Sequence, residues 1–188
     1  QELLDLLGFR ALLEQVPAAL NASIEAEARF RKATPQQVAS WRRELEPRLK
    51  PQQLLLDLSH YLSERYRPDT FLRAQQRLQQ PLAKRARYFD LAMTQPGAEK
   101  NLRDFLLQSA AQTTDRATAR RALMQEIDTA TASSLLVATL HTAISERVRE
   151  VATGSGSDAA AVQALIAERQ RYLAPLSVDY LLYDYRYL

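Results

Sequence analysis

The chain of 188 residues contains no cysteine, which excludes thiol nucleophiles, disulfide staples and cysteine-based zinc sites. Histidine is almost as scarce. His60 and His141 stand alone, and neither has a second ligand at a metal-binding spacing, so the sequence predicts no metal site and no cofactor. Only four glycines are present, two of them in Gly154-Ser155-Gly156-Ser157. That segment lacks the Gly-x-x-x-x-Gly-Lys order of a phosphate loop and follows a helical pattern, so it reads as a flexible connector. Serine-hydrolase and kinase signatures are missing as well. No apolar run reaches the ~18 residues that a membrane-spanning helix needs.

What is present favours one fold class. A hydrophobic fraction of 46% argues against disorder, and the abundance of Leu, Ala, Gln, Arg and Glu favours helix over strand. The length suits a single helical domain over 1–188, with 1–50 as a possible N-terminal lobe. The formal charge of +3 is small, permitting weak attraction to polyanions without requiring it.

The longest run that holds one helical period without a proline or glycine extends from Asp115 to Val151. Leu123, Ile127, Ala130, Ser134, Val137, Leu140, Ile144, Val148 and Val151 follow one another in steps of three and four, the period of one helical stripe. The expectation is an all-α, antiparallel multi-helix bundle of about seven or eight helices around a long central helix spanning 115–152. Shorter helices are predicted around it. Leu6, Phe9, Leu13, Val16, Leu20 and Ile24 share a face across 2–31, with a kink where Pro17 removes a backbone donor. Thr34-Pro35-Gln36-Gln37 carries a capping box with proline at the first helical position, opening a helix to about Leu45 that holds Trp41, the sole tryptophan, as a core anchor. Leu54, Leu55, Leu58, Leu62 and Tyr66 line a further helix from Pro51. Asp69 and Thr70 open the next helix, with Phe71, Gln75, Leu78 and Leu82 in step; at Pro81 either it bends or a new helix begins with Leu82, Ala86, Phe89 and Met93 as its buried face. A helix over 98–112 follows, and another over 158–174 is expected to stop at Pro175. The last segment, Leu176 to Leu188, fits either period and is taken as helix because nothing else in the chain reads as a strand.

Several residues carry chemistry worth placing. Small side chains at 129–134 and 138–143 can leave a crevice, making Ser134, Ala138 and His141 candidate ligand-binding residues. Tyr180, Tyr183 and Tyr187 fall on one face of a terminal helix, where rings with polar tips suit a partner surface. His141 and His60 read as hydrogen-bonded core or boundary residues. Asp128 reads as a paired carboxylate, with a hydrolase built on Asp128, His141 and a nearby Ser or Thr as an alternative. The basic segment 65–103, with aromatic rings interleaved, offers electrostatic nucleic-acid binding as another. No catalytic residue is assigned. The leading expectation is a non-enzymatic binding or scaffolding protein that engages a protein partner, a second copy or a lipid-like ligand.

The ending Tyr180-Leu181-Leu182-Tyr183-Asp184-Tyr185-Arg186-Tyr187-Leu188 resembles a segment of the bacterial domain of unknown function 2059 family, and the stretch from Leu62 to Lys100, closing at Thr94-Gln95-Pro96-Gly97, is similar to that family's helix ended by a turn. The resemblance implies an exported helical protein of the Gram-negative envelope, hence a periplasmic location with a cytoplasmic one as alternative, and it supplies no catalytic residues. The chain opens on Gln1 and ends in mid-pattern at Leu188, so the expectation is a removed signal peptide and trimming at both ends.

Overall fold

The computed structural model describes residues 4, 9–65, 67–81, 98–109 and 114–184. Nine helices are present among the described residues, with no strand. In chain order they are α1 (Phe9–Glu14), α2 (Val16–Arg31), α3 (Pro35–Leu45), α4 (Pro51–Glu64), α5 (Pro68–Leu78), α6 (Ala98–Ser109), α7 (Asp115–Thr131), α8 (Ser133–Thr153) and α9 (Ala159–Asp184). The residues expected to form a buried face after Pro81, Leu82, Ala86, Phe89 and Met93, lie outside the described residues, as do Tyr66 and Tyr187. The chain divides into two compact units, one of Gln1–Gln79 with Leu140–Gln163 and one of Gln80–Thr139 with Ala164–Leu188.

Local chemistry sets most helix starts. Proline occupies the first helical position of α3, α4 and α5, where its missing N–H costs nothing because that donor has no intrahelical partner. The capping box is formed as the sequence predicts: the Gln37 amide donates to Thr34 Oγ1 at 3.3 Å and Gln37 Oε1 accepts from the Thr34 amide at 2.8 Å. Thr114 caps α7 by accepting the Ala117 amide at 3.3 Å, and Asp158 caps α9 by accepting the Ala161 amide at 2.8 Å. The kink expected near Pro17 falls at Gln15, between α1 and α2, where the backbone keeps right-handed geometry and the Ala19 amide still reaches the Gln15 carbonyl at 3.0 Å.

The first unit is built on the stripe predicted from the sequence. Leu13, Val16, Leu20 and Ile24 meet Trp41 and Leu45 from α3, Leu55 from α4, and Ile144 and Val148 from α8, with Leu4 in the same cluster. Partly buried Leu54, Leu58 and Leu62 close its edge. The connector after α8 is also less free than its composition implies. Gly154 takes a φ of 74° that the turn requires, Thr153 Oγ1 accepts the Ser155 amide at 3.1 Å, and Glu146 Oε2 accepts both the Ser157 amide at 3.3 Å and Arg149 Nη2 at 2.9 Å.

Two expectations need correction. The central helix over 115–152 is broken: Ala132 sits at φ 52°, left-handed, and ends α7 before α8 begins at Ser133. The break shifts the buried face of α7 by one residue. Met124 and Asp128 are buried there while Leu123 is exposed, because a period counted through a left-handed residue loses its phase. Conversely, Pro175 does not end a helix but lies inside α9. Its ring removes the bond to the carbonyl of Arg171 and disfavours helical geometry at Ala174. Beyond the ring, Val178 and Tyr183 are buried, and that packing keeps the last turns helical.

The capping box offers a direct test of the local reading. Thr34→Ala is expected to cost about 1 kcal/mol, seen as a fall of roughly 2–4 °C in Tm in a thermal melt followed by circular dichroism. An unchanged melt would show that tertiary packing alone holds the start of α3.

Candidate functional site

The corner between α7 and α8 is organised by one carboxylate. Asp128 is buried in the last turn of α7, and each of its oxygens is occupied. Oδ1 accepts the Ser134 amide at 3.0 Å and the Ser177 hydroxyl at 2.6 Å; Oδ2 accepts the Ser134 hydroxyl at 2.7 Å. The carboxylate therefore caps the helix that follows its own, satisfying an amide that the start of α8 leaves without a helical partner, and it fastens α9 to the same point through Ser177. Hydroxyls on either side complete the corner. Thr131 Oγ1 donates to the Ile127 carbonyl at 2.8 Å and lies 2.7 Å from Ser133 Oγ. An ion pair between Arg121 and Asp179 adds a second tie between α7 and α9.

Chemically this cluster is a joint. Its three donors are an amide and two serine hydroxyls, and no cation pairs with Asp128 among the described residues. His141, the imidazole the hydrolase reading requires, is exposed on α8. Among the described residues no three His, Asp or Glu side chains gather closely enough to hold a metal ion.

The remaining candidates separate. Ser134 and Ala138 are buried, Ala138 completely, and Ser134 is held to Asp128 through both its amide and its hydroxyl. His141 is exposed, not a core or boundary residue, and so is His60, whose Nε2 lies 3.3 Å from Glu64 Oε1. Tyr183 points inward, not outward with Tyr180. Its ring meets Phe105 of α6 edge-on, with centroids 5.5 Å apart and an interplanar angle of 73°. Tyr180 is exposed. In the basic segment, Arg65 lies 3.8 Å from the centre of the Tyr61 ring, and Arg73 donates to the backbone carbonyl of Asp69, not to its carboxylate. Lys84, Arg85 and Arg87 lie outside the described residues.

One set of residues escaped the sequence reading. Leu165, Tyr172, Leu176 and Tyr180 follow one another on α9 in steps of seven, four and four, the spacing of a single helical face. All four are exposed, Tyr172 to 73%. The spacing is legible in the sequence, but a helix end at Pro175 divides it between two segments. Comparison with known proteins gives no match to the chain, whether with family models, curated proteins or solved structures.

Truncating the joint tests its role. Asp128→Ala is expected to cost about 3 kcal/mol, since it leaves the Ser134 amide and two hydroxyls without their charged acceptor, and to lower Tm by roughly 6–12 °C. Ser177→Ala is expected to cost about 1 kcal/mol. Calorimetry that finds Asp128→Ala as stable as the parent would remove the carboxylate from its place as organiser of the corner.

Proposed function

We propose that this chain is a non-enzymatic binding or scaffolding protein that takes up an apolar surface, on a protein partner or a lipid-like ligand, along the exposed face of α9. The observation that carries the reading is the seam of Leu165, Tyr172, Leu176 and Tyr180. Single exposed apolar residues are ordinary on protein surfaces. Four at helical spacing are a different matter, because they form one strip of the kind that lies in a groove or against a second helix. The tyrosines suit such a role: each brings a broad apolar ring and a hydroxyl that tolerates water before the partner arrives. Both oxygens of the buried Asp128 are taken up by structural hydrogen bonds to Ser134 and Ser177, which supports a binding role over hydrolysis.

The resemblance of the last residues to an exported bacterial family supports an envelope location, with the periplasm as the compartment. No helix among the described residues is long and apolar enough to cross a membrane.

Native mass spectrometry of the purified chain is expected to show a bound lipid, a partner or an oligomer. In Tyr172→Asp/Leu176→Asp that species is expected to disappear while the circular-dichroism melt stays within about 3 °C of the parent, since exposed substitutions change stability little. A parent protein that flies as a bare monomer, or a double variant that keeps its companion, would overturn the proposal.

A further inference from the structure

The most exposed large hydrophobic side chain described is not on α9. It is Phe30, 80% exposed in the last turn of α2. Three cations surround it in sequence, Arg29, Arg31 and Lys32. Cations near a helix C-terminus are favoured by the partial negative charge of its free carbonyls, and the Arg31 guanidinium lies 5.9 Å from the centre of the Phe30 ring, leaving most of the ring open to water among three cations.

The backbone under this ring is fixed from both sides. At the end of α2 the Ala33 amide donates to the Ala28 carbonyl at 2.9 Å and the Lys32 amide to the Arg29 carbonyl at 3.3 Å, a Schellman closure. One residue later the Thr34–Gln37 capping box begins α3. Within that closure Lys32 adopts φ 52°, a left-handed conformation that glycine takes freely and a lysine does not. Stability alone would place glycine at 32 and a polar residue at 30. The two departures fall at one corner.

We propose that the corner between α2 and α3 docks on an anionic bilayer surface, with Phe30 entering the boundary between headgroups and acyl chains and Arg29 and Lys32 meeting lipid phosphates. Charge complementarity carries the choice of partner. Arg31 is engaged by Glu27, one turn back, whereas Arg29 and Lys32 enter no ion pair among the described residues. Glu25, exposed on the same helix, is the next carboxylate before Glu27 in the chain. A lone ring at a turn offers no platform on which successive bases can stack, and a groove-forming protein partner would need more apolar surface than Phe30 and the exposed Pro35 provide. A bilayer asks only for an inserted ring with cations at its rim. The pinned backbone adds to this, since little conformational freedom remains to be lost on docking.

Co-sedimentation of the full chain with vesicles tests the idea, using mixed phosphatidylglycerol and phosphatidylcholine against phosphatidylcholine alone. The expected result is binding to the anionic vesicles only, weakened by added salt. Phe30→Ser is expected to reduce that binding by at least about ten-fold. Lys32→Gly is expected to reduce it about five-fold, the effect of one cation near a charged surface, while its Tm is no lower than that of the parent. That pairing separates loss of docking from loss of folding. No binding to either lipid, equal binding to both, or anionic binding that Phe30→Ser and Lys32→Gly leave unchanged would overturn the proposal.

Discussion

A helix that turns without glycine or proline must find partners for the amides that the turn sets free, and Asp128 is where this protein does so. The residues from Thr129 to Ser134 are small and hydroxyl-bearing, a composition that weakens the helix without forbidding it. What decides the outcome is a carboxylate one turn earlier that accepts from Ser134 twice and from Ser177 once. Burying that charge is unfavourable unless every lone pair facing the protein is used, so the corner, the start of α8 and the seating of α9 stand or fall together. The left-handed Ala132 is affordable only because of this arrangement.

The same dependence accounts for the exposed face of α9. Ser177 and Asp179 hold one side of the helix to α7, and Tyr183 is covered by Phe105. With those residues committed inward, helical geometry turns Tyr172, Leu176 and Tyr180 outward. The surface proposed for binding is thus a by-product of how the joint is fastened. The aromatic content of the end of the chain is accordingly split between packing and exposure, not gathered on one face.

Legibility from sequence followed the range of the interactions involved. Helix starts at Pro35 and Pro51, the capping box of Thr34 and Gln37, and the stripe from Leu13 to Ile24 depend on residues close together in the chain, and each stood in the sequence as it stands in the fold. The break at Ala132 depends on Ser177, 49 residues beyond Asp128, and no local pattern announces it. Proline shows the same divide. At the first position of a helix its meaning is local, whereas at Pro175 it depends on whether the residues beyond are packed firmly enough to outweigh a lost hydrogen bond. Of the candidate site, Asp128 was singled out from its place beside an apolar stripe. Its partners were hidden by distance, and the burial of Tyr183 by a ring on another helix.

Trp41 lies in the core of the first unit and is the only indole in the chain. Intrinsic tryptophan fluorescence therefore follows the first unit alone, while the second carries only phenolic and phenyl chromophores, Tyr172, Tyr180, Tyr183 and Phe105 among them. Two optical handles for two folding units come with the sequence, without any label. In a denaturant titration, coincidence of the indole signal with far-ultraviolet ellipticity would mark the units as one cooperative system, and separation of the two curves would resolve them as successive transitions.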